Sequence, residues 1–236
     1  MKRCFCGFLA LMLLIGLAVP AWATEPYITI YTHGDREHKR IAITVDDWYQ
    51  PELLPDFLDA SGKYDCKLTL YPLGVMLNIA DRPLWQRVLD EGHEIGNHSN
   101  THANLEDLNR DRIMRQLQNM ENNLYEVLGF EYKINSVRYP YGAGRYKGLR
   151  SSFSQAVAEA GYIHVVLWDV DTTDSDRIMR KVENGSIILL HGRRRDLRVL
   201  KEILPQLKEQ GYEMVTVSEL LGLEKTEPRP LAKDRP

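Results

Sequence analysis

The chain has 236 residues, 44% of them hydrophobic and 9% aromatic, with 30 basic against 33 acidic side chains and a formal net charge of −3. That supplies apolar material for one good core, and the even composition with ordinary aromatic content fits a single globular domain, with no second domain expected. The slight acidity argues against a nucleic-acid partner; the one basic run, Arg193-Arg194-Arg195, reads as a solvated loop.

In chain order, Met1-Lys2-Arg3, the apolar run from Phe8 to Val19 and Ala21-Trp22-Ala23 have the three zones of a secretory signal peptide, residues 1–23, with cleavage expected after Ala23. The apolar run falls short of the ~20 residues of a membrane-spanning helix. An exported protein, periplasmic or secreted, with no stable membrane anchor after signal removal is therefore expected. Cleavage removes two basic and no acidic residues, taking the net charge from −3 to −5, and leaves Cys66 as the lone cysteine, without an internal disulfide partner. Residues 24–39 read as an N-terminal extension containing a short strand, Tyr27 to Tyr31. Residues 224–236 are charged, proline-rich and expected to be disordered.

Between them, residues 40–223 alternate short apolar runs with segments of helical period. Strands are expected at Ile41 to Val45, Lys67 to Tyr71, His93 to Asn97, Ser136 to Tyr139, His164 to Val170, Ile187 to Leu190 and Glu213 to Val217. Helices are expected at Pro51 to Ala60, Leu84 to Glu91, Leu105 to Leu128, Ser152 to Ala160 and Leu197 to Gln210. The rhythm predicts a single α/β domain, a distorted (β/α) barrel of seven or eight strand-helix units.

Polar residues out of keeping with their surroundings fall just after the apolar runs: Asp46-Asp47, His98, Arg138 to Gly142, Asp169 to Asp174, and His191. In a barrel these strand ends open on one rim, where active sites are built. His98 and His102, four residues apart, fit one side of a helical turn and could grip one cation; Asp47 could supply a third ligand and leave room for water and substrate. Asp46 beside it is then free to act as a base.

The ordered segments Thr44-Val45-Asp46-Asp47, His98-Ser99-Asn100-Thr101-His102, Arg138-Tyr139-Pro140-Tyr141-Gly142, Asp171-Thr172-Thr173-Asp174 and Leu189-Leu190-His191-Gly192 resemble the polysaccharide deacetylase family, carbohydrate esterase family four. The resemblance spans roughly Ile41 to Leu220. It implies a distorted barrel holding one divalent cation, Zn2+ most often and Co2+ or Ni2+ in some members. Asp47, His98 and His102 match the ligands, Asp46 the base, and Arg138 the residue that orients it. The Tyr141 amide matches the oxyanion donor and His191 the general acid. Asp174 matches the carboxylate that tunes that acid, with Asp171 the runner-up.

Three positions depart from the family pattern. Val45 replaces a phenylalanine. Trp48 replaces a glycine beside the cation and either stacks on a sugar face or narrows the cleft. Ser175 replaces a tryptophan, a gap that Trp168 could fill if it does not pack into the core. Trp48, Tyr141 and Trp168 are thus the candidate sugar contacts. The resemblance implies hydrolysis of N-acetyl groups on an amino-sugar polysaccharide, peptidoglycan or poly-N-acetylglucosamine. The alternatives are a catalytically silent carbohydrate-binding barrel, or a metal-dependent amidase acting on a small or peptide-linked amide.

Overall fold

A computed structural model describes residues 28–143 and 152–223. The expected signal peptide, 1–23, and tail, 224–236, lie outside the described residues. The strands are β1 (Thr29–Tyr31), β2 (Arg40–Asp47), β3 (Leu68–Pro72), β4 (Glu94–Ile95), β5 (His164–Val166), β6 (Val170–Asp171), β7 (Ile187–His191) and β8 (Glu213–Val215). The helices are α1 (Leu54–Gly62), α2 (Arg82–Asp90), α3 (Arg110–Leu128), α4 (Ser152–Glu159), α5 (Ser175–Lys181), α6 (Arg194–Glu209) and α7 (Val217–Leu221).

Every residue of β2 after Arg40 is buried, the mark of a parallel strand covered on both faces. Its Ile41, Ile43 and Val45 enter one core cluster with α6, whose Leu200, Ile203, Leu204 and Leu207 recur at helical spacing. β2 lies between β3 and β7, with β8 joined to its first three residues, and every strand pairing is parallel.

The ring continues beyond β4. Val137 bridges to Asn97 on one side and to Val165 of β5 on the other, while β6, a few residues further on, pairs with β7. The expected strand Ser136 to Tyr139 is thus reduced to a bridge at Val137. The expected strand His164 to Val170 is split into β5 and β6. These interruptions are the distortion of the barrel.

Two element boundaries differ from expectation for reasons of capping. Asn109 caps α3 by accepting from the Arg112 N–H at 3.0 Å, so Leu105–Asp107 form a separate 3-10 turn and the helix starts at Arg110. The expected strand Glu213 to Val217 ends at Val215, because Thr216 and Glu219 form a reciprocal capping box that opens α7. α7 lies against the starts of the strands, where the Val217 N–H reaches Thr69 Oγ1 at 2.8 Å and the Ser218 N–H reaches Glu94 Oε2 at 3.0 Å. The sequence pattern showed neither α5 nor α7.

Cys66 is buried and free, and burial pushes its thiol up to about 12, which makes it inert. Among the described residues no helix is long and apolar enough to cross a membrane.

Candidate active site

β2 and β7 end side by side, with Asp46 in register with His191. The left-handed region is uncommon for residues other than glycine and costs ~1–2 kcal/mol each. Among the described residues it holds six non-glycine residues, and five of them, Asp47, Trp48, Ser99, His102 and Tyr141, cluster at this rim. Strain concentrated in this way marks a place where geometry is held for function.

The two histidines do not come from a helix. His98 follows the short β4, and the chain turns through Ser99 (φ 70) to His102 (φ 61). Asn97 Oδ1 accepts the Ser99 N–H at 2.8 Å, and Ser99 Oγ accepts the His102 N–H at 3.2 Å. This tight loop, rather than helical spacing, brings the two rings to 5.2 Å.

Asp47 Oδ1 faces His98 Nε2 at 3.4 Å and His102 Nε2 at 3.3 Å. The Arg138 carbonyl lies 2.8 Å from His98 Nδ1 and can only accept, so Nδ1 carries the proton and Nε2 of the neutral ring is a bare lone pair. Asp47 Oδ1 is itself buried without a donor. Lone pairs therefore converge on one small volume, and only positive charge, as protons on the imidazoles or as a metal ion, makes that arrangement stable. The set of one carboxylate oxygen and two imidazoles, all within 4.8 Å of one another, fits a divalent cation.

The electrostatics agree with this reading. Burial pushes the Asp47 carboxyl upward, but His98, His102 and His191 outweigh it and hold it below the ordinary range. Burial, reinforced by His98, pushes His102 below its ordinary 6.5 and favours the neutral form that can ligate.

Asp46 is buried, and its Oδ1 accepts from Arg138 Nη1 at 2.8 Å. Arg138 is fully buried and fixed by Val166 O and Leu167 O, each at 3.0 Å, by Thr44 Oγ1 at 2.6 Å, and by the Tyr71 ring 4.4 Å below the guanidinium. Asp46 Oδ2 stands 3.7 Å from His98 Nε2 and is the oxygen left free by Arg138.

The expectation for Asp174 is corrected. Its carboxylate caps α5 by accepting the Arg177 N–H at 2.9 Å, and it is exposed; the runner-up, Asp171, ends β6 and is exposed as well. The carboxylate that approaches His191 is Asp196, buried in the first turn of α6. Its Oδ1 accepts the His191 N–H at 3.2 Å and lies 3.8 Å from Nδ1. Burial pushes His191 down, but Asp196, Asp46 and Asp47 outweigh it and raise the imidazole above 6.5. In the sequence, Asp196 fell between the basic run Arg193-Arg194-Arg195 and the helix expected from Leu197, and was not singled out.

Trp48 is corrected as well. It is fully buried, packs edge-on against Phe57 and Trp85, and donates from Nε1 to Val45 O at 3.1 Å. A ring with no exposure cannot stack on a sugar. Its φ of 64 explains why glycine suits this position. The strain of ~1–2 kcal/mol is offset by burying a large aromatic side chain, a gain on the order of 2–3 kcal/mol. Val45, fully buried, joins the same core.

The rim instead exposes two tyrosines. Tyr141 is 73% exposed with its ring 4.5 Å from that of His102, and Tyr49, 46% exposed, lies 6.5 Å from the same ring. Nothing in the sequence singled out Tyr49 except its place two residues after Asp47. Trp168 is half-buried, 5.8 Å from the Arg138 guanidinium, and a Cβ on Gly142 would come within 3.1 Å of its ring. It braces the Tyr141-Gly142 turn.

Comparison with known proteins points one way. The profile of the polysaccharide deacetylase family matches residues 33–165. The chain is 34% identical over 201 residues to the peptidoglycan-N-acetylmuramic acid deacetylase PdaC of Bacillus subtilis, covering 81% of this chain and 40% of that protein. It is 32% identical over 216 residues to a peptidoglycan-N-acetylglucosamine deacetylase of Bacillus cereus, covering 84% of this chain and 95% of the relative. It also superposes on a Bacillus anthracis protein described as a CE4 family pseudoenzyme, at 26% identity and a TM-score of 0.70, over 81% of this chain and 68% of that one. The chain spans two fifths of the length of PdaC and of the Listeria monocytogenes relatives it matches. With a profile covering more than half of the residues and a parallel barrel that superposes on solved members, the chain belongs to the polysaccharide deacetylase family.

Proposed function

We propose that the protein is an exported, metal-dependent deacetylase that hydrolyses N-acetyl groups on an N-acetylglucosamine-containing polysaccharide, with peptidoglycan as the substrate and zinc as the cation. The observation that carries this reading is the convergence of Asp47 Oδ1 and two imidazoles next to a buried Asp46–Arg138 pair. Peptidoglycan is favoured because the relatives named above act on it. Export rests on the composition of residues 1–23.

A cation held by Asp47, His98 and His102 would supply Lewis acidity to the acetamide carbonyl and to water. Asp46, whose Oδ2 is free while Arg138 fixes Oδ1, accepts the proton of the attacking water. The main-chain N–H of Tyr141, in the turn braced by Trp168, meets the charge developing on the carbonyl oxygen. His191, raised above 6.5, holds a proton to give to the departing amine.

Imidazoles ligate only when neutral, so binding releases any proton they hold. Because burial holds His102 below its ordinary 6.5, zinc affinity is expected to stay flat down to that value and to weaken only at lower pH, by up to about tenfold per unit for the proton displaced from His102. An affinity that rose as the pH fell would remove the imidazoles from the ligand set.

The test of the function is acetate release from peptidoglycan strands and from chitooligosaccharides, with chelator and with zinc restored. Release should vanish on chelation and return with zinc. Activity indifferent to chelation contradicts the metal reading. Sugar binding without acetate release would favour a silent barrel, the state described for the Bacillus anthracis neighbour.

A further inference from the structure

Arg193 separates itself from the basic run to which it belongs. Arg194 and Arg195 are exposed and make no ion pair among the described residues, but they form the first turn of α6 rather than the expected loop. Arg193, although 52% exposed, turns back to place Nη2 3.0 Å from Oδ2 of the buried Asp47. The two oxygens of one carboxylate therefore have different partners. Oδ2 meets a guanidinium, while Oδ1 has no donor and faces His98 and His102.

We infer that Arg193 is a positioning residue for the metal centre, holding the Asp47 carboxylate so that Oδ1 alone is presented to a cation between the two imidazoles. This rests on the metal-dependent reading above. The terminal torsion of an aspartate is broad and roughly two-fold, so an untethered carboxylate can turn either oxygen, or both, toward a cation. A charge-assisted hydrogen bond to one oxygen removes that freedom.

The backbone delivers Arg193 to this place. The Gly192 N–H donates to Asp46 O at 2.9 Å, and the Arg193 N–H donates to His191 O at 2.7 Å. A Cβ on Gly192 would come within 2.8 Å of Trp48 Cα and 2.9 Å of its ring. The loop is thus docked on the residue that follows Asp47, and Trp48, held in the core, is the anvil against which it rests.

Two effects of Arg193 on cation binding oppose each other. Its positive charge repels a dication, while its grip orders the ligand. Partners of metal ligands at this remove are worth 10–100-fold in affinity, and Arg193 is the hydrogen-bond donor found on Asp47 Oδ2 among the described residues, so positioning dominates. The rival picture, in which Arg193 is merely a counter-charge that the cation displaces, predicts the opposite sign.

The experiment titrates metal-free, folded protein with zinc against a chromophoric chelator, comparing wild type with Arg193→Met, Arg193→Lys and Arg195→Met. Zinc affinity should fall roughly 10–100-fold in Arg193→Met, recover in part in Arg193→Lys, whose point charge lacks the planar fork, and stay at the wild-type value in Arg195→Met. Binding by Arg193→Met as tight as wild type, or tighter, overturns the inference while leaving the metal centre intact. A wild-type protein that binds no zinc overturns the metal reading and the inference together.

Discussion

Asp46→Asn is expected to lower kcat/KM by roughly a hundred- to ten-thousand-fold while zinc binding is retained, the range for loss of a positioned general base. Asparagine keeps the size of the side chain and an oxygen for the Arg138 Nη1 donor, so the buried network survives. What it loses is the charge and proton affinity of Oδ2, the atom 3.7 Å from His98 Nε2. Acetate-release kinetics together with zinc stoichiometry check this. A variant that turns over at the wild-type rate would take the base away from Asp46.

Arg138→Met carries the largest expected effect on stability. Arg138 is fully buried, and its donors satisfy Asp46, Thr44 and the Val166 and Leu167 carbonyls at once. Removing it strands the Asp46 carboxylate in the interior and leaves two carbonyls without a donor. Breaking a buried pair from one side costs about 3–5 kcal/mol. At ~2–4 °C per kcal/mol for a domain of this size, calorimetry should show the melting temperature falling by roughly 10 °C. Asp46→Asn keeps an acceptor for the guanidinium and should lower it far less. If both variants melted with wild type, the buried pair would contribute little to the fold.

How much of this was legible in the sequence depends on how local each cause is. β2 was legible because a run of buried apolar residues ends in two aspartates at adjacent positions. The candidate ligands Asp47 and His98 were legible as polar residues at the ends of apolar runs, and His102 by its spacing from His98, although the route that joins the two histidines was not. It depends on left-handed backbone at Ser99 and His102, which a spacing of four residues does not reveal.

Trp48 illustrates the same limit. Its residue type suggested a sugar platform, but the sign of φ aims the ring into the core. The role expected of Asp174 falls to Asp196 because an aspartate beside a helix start can cap it, as Asp174 does, or turn back to the preceding strand end, as Asp196 does toward His191. The Arg193–Asp47 pair joins residues 146 positions apart and has no local signature.

The proposed chemistry depends on Asp47, His98 and His102 jointly binding one cation. Anomalous scattering at the zinc edge from a zinc-soaked crystal tests it most directly. One peak per chain is expected, at about 2.0–2.2 Å from Asp47 Oδ1, His98 Nε2 and His102 Nε2. No peak there, or one that leaves any of these three atoms out of reach, would contradict the account.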